Sequence, residues 1–495
     1  ITLTNSPNIN MADFLNRLDR YPYGCLEQTT SIAFPLLYMD KLSDLYGINL
    51  QTKDLENKIN NAINRIFNMQ RTDGSFGLWT NLSSKEPWLT VYAIHFLLTA
   101  KELGYNVDEI SLSRAVNSLN NDLEALGDYS RNLDKKINIL SYGIYVLSEY
   151  GLLNMNDTVR YFIDEYSDVL HMSEILAVTA LRKAADNFGY NYSMLDNNFS
   201  KFKPESIIKL ISAYPSDDIL YRYYDYRSQI RELAAYIAIG GKELSYNEKT
   251  NFIKLLIEHT SNNFTLSTQE LSWIVLATNS LVGENKNIDV MIDNSNINNQ
   301  RSLNFRKEYN DLEKKFKITN NANEALNYSI VARGFPAEDL SVEFNGVTIK
   351  KDFYDMEGII FDIQNLQVNQ GDLFFVHIHG TALDNKVDRR MLLVDMLPAG
   401  FEIESVSVGK GASKDEFNDL PELTKNSYVS NQDDRFISFF EFEDNKDNSF
   451  SQGYIVRAIT PGLYTIPPAY VEDMFQPSFY ARGEIKETNV IKTLD

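Results

Sequence analysis

The chain has 495 residues, 43% of them hydrophobic, which is too long for one hydrophobic core and enough for two or three. A formal net charge of -21, with no basic cluster to interrupt it, opposes binding to nucleic acid or anionic lipid. No uncharged apolar run approaches the ~18 residues of a membrane span, and a single cysteine excludes an intramolecular disulfide. The first twenty residues lack a signal-peptide pattern and Ile1 reads as mid-domain sequence, so an excised part of a secreted or anchored precursor is expected.

From about Met11 to Gly283 apolar residues recur at helical spacing, as in Trp88-Leu89, Val91-Tyr92, His95-Phe96 and in Ile230, Leu233-Ala234, Ile237. The spacing predicts twelve helices, near 11–19, 26–46, 53–70, 88–103, 109–126, 135–150, 157–170, 172–188, 203–213, 221–239, 246–260 and 267–282. Gly47, Gly104, Gly151, Gly189, Gly240 and Gly283 each follow an apolar helical segment, the place where a left-handed C-cap favours glycine. Such punctuation roughly every 40 to 60 residues predicts six helical hairpins stacked side by side. The fold class expected is an α/α toroid, with an open solenoid as the alternative, since a period carries no information on closure. Gln70-Arg71-Thr72-Asp73-Gly74-Ser75-Phe76 reads as a structural turn between hairpins.

Beyond Gly283 an Asn-rich stretch (Asn285, Asn287, Asn294, Asn296, Asn298, Asn299) reads as linker or loop. Short alternating runs follow, at Phe316–Thr319, Leu326–Val331, Ser341–Phe344, Leu373–Ile378, Met391–Val394, Phe436–Phe440 and Tyr454–Ile459, and predict antiparallel β-sandwich domains. Pro336, closing the turn Gly334-Phe335-Pro336, marks the expected boundary between two of them. His377 and His379 share one strand face, but no third ligand accompanies them, which argues against a metal.

The chemistry centres on the lone cysteine, in Tyr21-Pro22-Tyr23-Gly24-Cys25-Leu26-Glu27-Gln28-Thr29-Thr30-Ser31 at a helix entry. A helix N-terminus offers unpaired N–H groups and a positive dipole end, which favour a thiolate and an oxyanion beside it. Cys25 and Gln28 are three apart, so one turn brings sulfur and carboxamide onto the same face. That arrangement permits a side-chain thioester formed with loss of ammonia. By residue type alone, a lone cysteine is more often a small buried hydrophobe.

The surrounding residues tip the balance. Cys-Leu-Glu-Gln resembles the Cys-x-Glu-Gln thioester signature of alpha-2-macroglobulins and complement proteins, and Tyr-Pro-Tyr-Gly before it with Thr-Thr-Ser after it resembles the bacterial alpha-2-macroglobulins. The resemblance continues through Trp88-Leu89-Thr90, Ser267-Thr268-Gln269-Glu270 with Trp273, Gln370-Gly371-Asp372, Leu397–Ile403 and Val471-Glu472-Asp473-Met474. It implies that residues 1–9 and 286–336 are two segments of a CUB β domain. Residues 10–285 would be the thioester toroid inserted between them, and 337–495 a C-terminal macroglobulin-like sandwich.

The resemblance further implies a broad-range protease inhibitor that works once, without turnover and without a cofactor. A protease cuts a bait region elsewhere in the full protein, the domains move, and a lysine amine of the protease attacks the Gln28 acyl carbon while Cys25 is released. Gly24, Leu26 and Glu27 complete the motif, and Tyr21, Tyr23 and Met474 would shield the bond. The bait region lies outside the 495 residues, so triggered trapping by this chain alone is not expected. The bacterial family is periplasmic, commonly held to the inner membrane by a lipid anchor, and often accompanied by a penicillin-binding protein. Complement-type relatives route the acyl group through a toroid histidine, but the corresponding stretch, Asn121 to Ile137, has none, which points to direct aminolysis. Two other classes of function fit the residues less well: an adhesion module that acylates surface amines without a protease, and a toroid enzyme acting on lipid or glycan.

Overall fold

The computed structural model describes residues 1–5, 24–46, 52–125, 137–154, 175–189, 225–240, 244–260, 266–280, 287–305, 315–323, 325–330, 334, 342–364, 367–384, 388–405, 423–446, 448–487 and 491–493. The expected helices at 11–19, 157–170 and 203–213 lie outside the described residues, as do Tyr21, Tyr23, Gly47, Gly283 and Pro336. The chain divides into two units, Ile1–Arg333 and Gly334–Asp495.

In the first unit the described helices are α1 (Leu26–Leu36), α2 (Met39–Tyr46), α3 (Thr52–Asn68), α4 (Pro87–Glu102), α5 (Glu109–Glu124), α6 (Ile137–Glu149), α7 (Ile175–Asn187), α8 (Gln229–Gly240), α9 (Tyr246–Thr260) and α10 (Thr268–Asn279). Six of them close a ring. Helix α1 packs on α4, α4 on α6, α6 on α7, α7 on α8, α8 on α10, and α10 returns to α1. Around this ring α3 lies against α1, α5 against α4 and α6, and α9 against α8 and α10. This is an α/α toroid.

Sequence explains which helices go where. An inner helix touches ring neighbours on two sides and the outer layer behind, so it can be apolar all round: every residue of α6 from Ile137 to Ser148 is buried. The outer helix α3 instead carries one apolar stripe, Leu55, Ile59, Ile63 and Ile66, with exposed polar residues between. The predicted helix 26–46 is two helices, because Pro35 has no N–H to give; the chain tightens through Leu37 N to Phe34 O (3.2 Å) and restarts at Met39. Of the predicted helix 221–239, residues 221–224 lie outside the described residues, Asp225 is helical, and after a break over 226–228 α8 starts at Gln229. There Asp225 draws the Arg227 amide (3.1 Å) out of helical register and Ser228 Oγ accepts from Arg231 N (3.1 Å) as a cap. Gly104, Gly151 and Gly189 take the left-handed conformation expected of helix caps, whereas Gly240 is the last residue of α8 itself.

The same unit holds a β module. Strand β1 (Thr2–Thr4) is separated in sequence from its partners by the whole helical ring, which precedes β2 (Ile288–Ile292), β3 (Ser295–Gln300), β4 (Ser302–Asn304), β5 (Ile318–Asn320) and β6 (Asn327–Ser329). β1 runs antiparallel between β4 and β6, and β2 antiparallel between β3 and β5. Leu3, Ile288 and Val290 form their common core, with Ile297, Leu303, Phe305 and Ile318 packed against it. The toroid therefore lies between the first two described strands of this module. The Asn-rich stretch expected to be a loop is in part a strand, β3. Alternating Ile288 and Val290 call for a partner, and Asp293 accepts the positive φ of 51° that a two-residue hairpin needs.

The second unit is a β-sandwich of strands β7 (Glu343–Asn345), β8 (Lys350–Tyr354), β9 (Val368–Asn369), β10 (Leu373–Thr381), β11 (Arg389–Met396), β12 (Phe401–Ser405), β13 (Tyr428–Gln432), β14 (Arg435–Phe442), β15 (Ser449–Ala458), β16 (Thr465–Ile466), β17 (Tyr470–Asp473), β18 (Gln476–Arg482), β19 (Lys486–Glu487) and β20 (Ile491–Lys492). One sheet has the order β12-β15-β10-β8, the other β13-β14-β11-β17-β18-β7. Alternate residues meet between them: Phe374, Val376 and Ile378 from β10 share a core with Met391 and Leu393 from β11 and Phe436 and Phe440 from β14.

Candidate functional site

Cys25 is the N-cap of α1, in extended conformation (φ -67°, ψ 166°), and its Sγ accepts the backbone N–H of Gln28 at 3.3 Å. The sulfur thus lies over the first helical turn on the side where Gln28 begins. Both side chains are closed off from solvent, at 0% and 2% exposure, and Gln28 Oε1 has no hydrogen-bond partner among the described residues. Water is thereby kept from the pair, and a carboxamide oxygen without a partner costs free energy where it stands.

Neighbouring elements fix this turn. Gly24 takes φ +69° and its carbonyl accepts from Arg65 Nε of α3 at 3.0 Å. Leu26 N donates to Leu78 O at 2.8 Å, tying α1 to the connection between α3 and α4. The Gln70–Phe76 turn anchors that connection: Gln70 Nε2 donates to Ser111 O of α5 at 2.8 Å, and Arg114 donates back to Gln70 Oε1 at 3.0 Å.

Glu27 points the other way, into the ring. Its carboxylate accepts from Ser31 Oγ at 2.7 Å and from Thr268 Oγ1 of α10 at 2.8 and 2.6 Å. Burial raises its pKa to about 7, a rise that the Thr268 and Ser31 hydroxyls only partly offset. Ring polar contacts continue with Tyr92 and Ser272, whose hydroxyls lie 2.7 Å apart, and with Arg231, which stacks on Trp88 at 4.3 Å.

His95 Nδ1 meets the Tyr142 hydroxyl at 2.7 Å, the ring packs edge-on against Phe34 at 4.8 Å, and burial pulls its pKa down to about 3. His377 bonds Ser451 Oγ at 2.9 Å and stacks with His379 at 4.7 Å on one face of β10. Among the described residues no three potential metal ligands gather. Met474 is a buried residue of the β17–β18 turn, its N–H given to Arg390 O at 2.9 Å. Tyr21 and Tyr23 lie outside the described residues, so of the expected site the structure brings together Gly24, Cys25, Leu26, Glu27 and Gln28. Sequence reasoning missed Arg65 and Leu78, and it named Thr268 only as part of the Ser267–Glu270 stretch, without its contact to Glu27. Only Thr268 left a signal, in the capping box of Ser267 and Glu270 that sets it at the head of α10.

These features define a class: a multidomain protein in which an α/α toroid interrupts a small β module and a β-sandwich follows. Two family models recognise it. The A-macroglobulin TED domain matches residues 3–194 and the Bacterial Alpha-2-macroglobulin MG10 domain matches residues 346–478. The chain belongs to the bacterial alpha-2-macroglobulin family. It is 26% identical to alpha-2-macroglobulin of Escherichia coli over 99% of its own length and 30% of that protein's. To the Xylella fastidiosa protein it is 25% identical, over 96% and 29%. The chain therefore spans about 30% of the length of these relatives. Salmonella alpha-2-macroglobulin reacted with methylamine is a structural neighbour at 25% identity and TM-score 0.80, covering 100% of this chain and 31% of that one. Escherichia coli alpha-2-macroglobulin from domain MG7 to the C-terminus shares the fold at 23% identity and TM-score 0.80, with 99% and 76% covered. No described helix is long and apolar enough to cross a membrane.

Proposed function

We propose that Cys25 and Gln28 form an internal thioester and that the chain is the capturing part of a protease trap. The observation that carries this reading is the Cys25 Sγ seated 3.3 Å from Gln28 N at the buried head of a ring helix, with the Gln28 carboxamide oxygen left without a hydrogen-bond partner among the described residues. Attack of the thiol on the carboxamide carbon forms the C–S bond and expels ammonia, so the nitrogen departs while Oε1 stays as the thioester carbonyl oxygen. A thioester has a better leaving group than an amide, because a thiol near pKa ~8.5 departs more readily than an amine. It survives only if water is excluded.

The later reaction follows from the same electronics. A lysine amine adds to the Gln28 acyl carbon, the C–S bond breaks, Cys25 leaves as thiolate and takes up the amine's proton, and a stable amide joins the two proteins. Each molecule acts once. In this reading 1–9 and 286–336 are the two CUB segments, 10–285 the thioester domain and 337–495 the last macroglobulin-like domain, with Tyr21, Tyr23 and Met474 as the shield. Proteases are the covalent targets. A periplasmic setting, a lipid anchor outside this chain and a neighbouring penicillin-binding protein belong to the same proposal. What supports amine reactivity is the methylamine-reacted state of the Salmonella relative.

Intact mass decides the matter. The untreated chain is expected one ammonia lighter than its sequence, and methylamine should add its full mass and release one thiol. Cys25→Ala should do neither. A chain at full sequence mass that ignores methylamine would refute the thioester.

A further inference from the structure

We propose that Glu27 is a positioning residue that clasps the seam of the toroid, holding the head of the last ring helix against the turn that carries Cys25 and Gln28. The proposal rests on the thioester reading and goes beyond it, because it gives a task to the motif residue that has no part in the acyl chemistry.

A ring made from a linear chain has one seam, where its first and last helices meet. Among the described helices these are α1 and α10, and the bond from Thr268 to Glu27 spans 241 residues. No short connection enforces that contact, so the side chains at the seam must offset the loop-closure entropy themselves. Glu27 lies in the first turn of α1, between Cys25 and Gln28, and receives Thr268 Oγ1 on both carboxylate oxygens while Ser31 steadies one of them. Thr268 is itself held: it is the first residue of α10, locked by the reciprocal capping box of Ser267 and Glu270. A rigid donor thus meets an acceptor built into the site's own turn.

The clasp is sensitive to charge. Glu27 is 1% exposed, and burial lifts its pKa to about 7, against the ordinary 4.5 it would regain if the seam opened to water. Protonation therefore favours the closed seam, and closure weakens as pH rises through about 7. Among the described residues the titratable groups facing it are few. From α4 Tyr92 interacts with the carboxylate through charge, from α10 Glu270 is turned to the Ser267 backbone, and from α3 Arg65 is turned to the Gly24 carbonyl.

The test measures thioester lifetime in the whole chain, as the rate of thiol release in plain buffer, with intact mass as the check that a thioester was there. Glu27→Ala and Thr268→Val should each shorten the lifetime about tenfold, and the double variant should be no worse than either, as for one shared contact. Glu27→Gln, which keeps the acceptor without the charge, should restore the lifetime, and its advantage over the unaltered chain should grow from about pH 6 to about pH 8. Single-variant lifetimes within twofold of the unaltered chain, effects that multiply in the double variant, or a Glu27→Gln advantage constant with pH would overturn the clasp. Failure of the unaltered chain to lose ammonia would instead overturn the thioester itself, and the clasp with it.

Discussion

Lys351 and Asp395 are paired at 2.7 Å inside the C-terminal sandwich, between β8 of one sheet and β11 of the other. Asp395 is fully buried, its second oxygen accepts the Tyr454 hydroxyl at 2.6 Å, and Lys351 also donates to Pro467 O at 3.3 Å. The pair crosses the core that the sheets otherwise fill with phenylalanine and branched aliphatic residues.

Removing one charge from such a pair strands the other in low dielectric. Lys351→Met is expected to destabilise the second unit by about 3–5 kcal/mol. Lys351→Met combined with Asp395→Leu should recover most of that and leave a deficit of about 1–2 kcal/mol for the abandoned Tyr454 hydroxyl. Urea unfolding of the three proteins checks this; a double variant as unstable as Lys351→Met would disprove the account.

Gly24 offers a local test of the reactive turn. Among the described residues a Cβ added there meets nothing closer than Arg65 Nε at 3.7 Å, and the φ of +69° is what resists a side chain. Gly24→Ala should cost about 1 kcal/mol of backbone strain. Arg65→Met removes the hydrogen bond to the Gly24 carbonyl without touching the sulfur. Both should speed loss of the thioester, read as thiol release, with far-UV circular dichroism unchanged.

How much of this was legible in the sequence depends on the range of the interaction. The helical periodicity of Trp88 to Phe96, the glycine caps at Gly104, Gly151 and Gly189, and the alternation of Phe374, Val376 and Ile378 are local signals, and each became the element it predicts. Pro35 was equally visible, yet the apolar run around it hid its effect on α1. Ring closure was not legible, because the α1–α10 contact joins residues that no short-range pattern relates. Strand β1 was too short to read as a strand, since three residues cannot display an alternation and its pairing partners arrive only after the entire toroid. At the site, the spacing of Cys25 and Gln28 was plain, whereas Thr268 reached Glu27 only through the fold.

His377 gives the second unit a pH signature. Burial in β10, helped by the neighbouring His379, lowers its pKa to about 4 from an ordinary 6.5, so the folded chain keeps the ring neutral. A depressed folded pKa contributes stability that is complete above the unfolded value and is lost as pH falls from about 6.5 toward about 4. His377→Gln should flatten stability over that window, and urea midpoints measured across it are the check. Equal slopes for the two proteins would show that His377 is not the group responsible.

The last prediction concerns what the thioester attacks. Acyl transfer through an imidazole needs a histidine within reach of the Gln28 acyl carbon, in a basic and accessible form. The stretch Asn121 to Ile137 contains none. His95 sits on a ring helix but is committed to the Tyr142 hydroxyl at 2.7 Å and ringed by Phe34, Tyr145 and Tyr150, and its pKa of about 3 marks a weak base. Reaction is therefore expected to be direct aminolysis. A neutral amine is the stronger nucleophile, although less than roughly 0.1% of lysine is neutral near pH 7, whereas a hydroxyl without a base to deprotonate it reacts slowly. With methylamine and glycerol in competition, the amide should dominate, the rate should climb with pH as more amine is neutral, and His95→Gln should leave the product ratio unchanged. Efficient glycerol ester formation that vanishes in His95→Gln would overturn direct aminolysis and make His95 the acyl carrier.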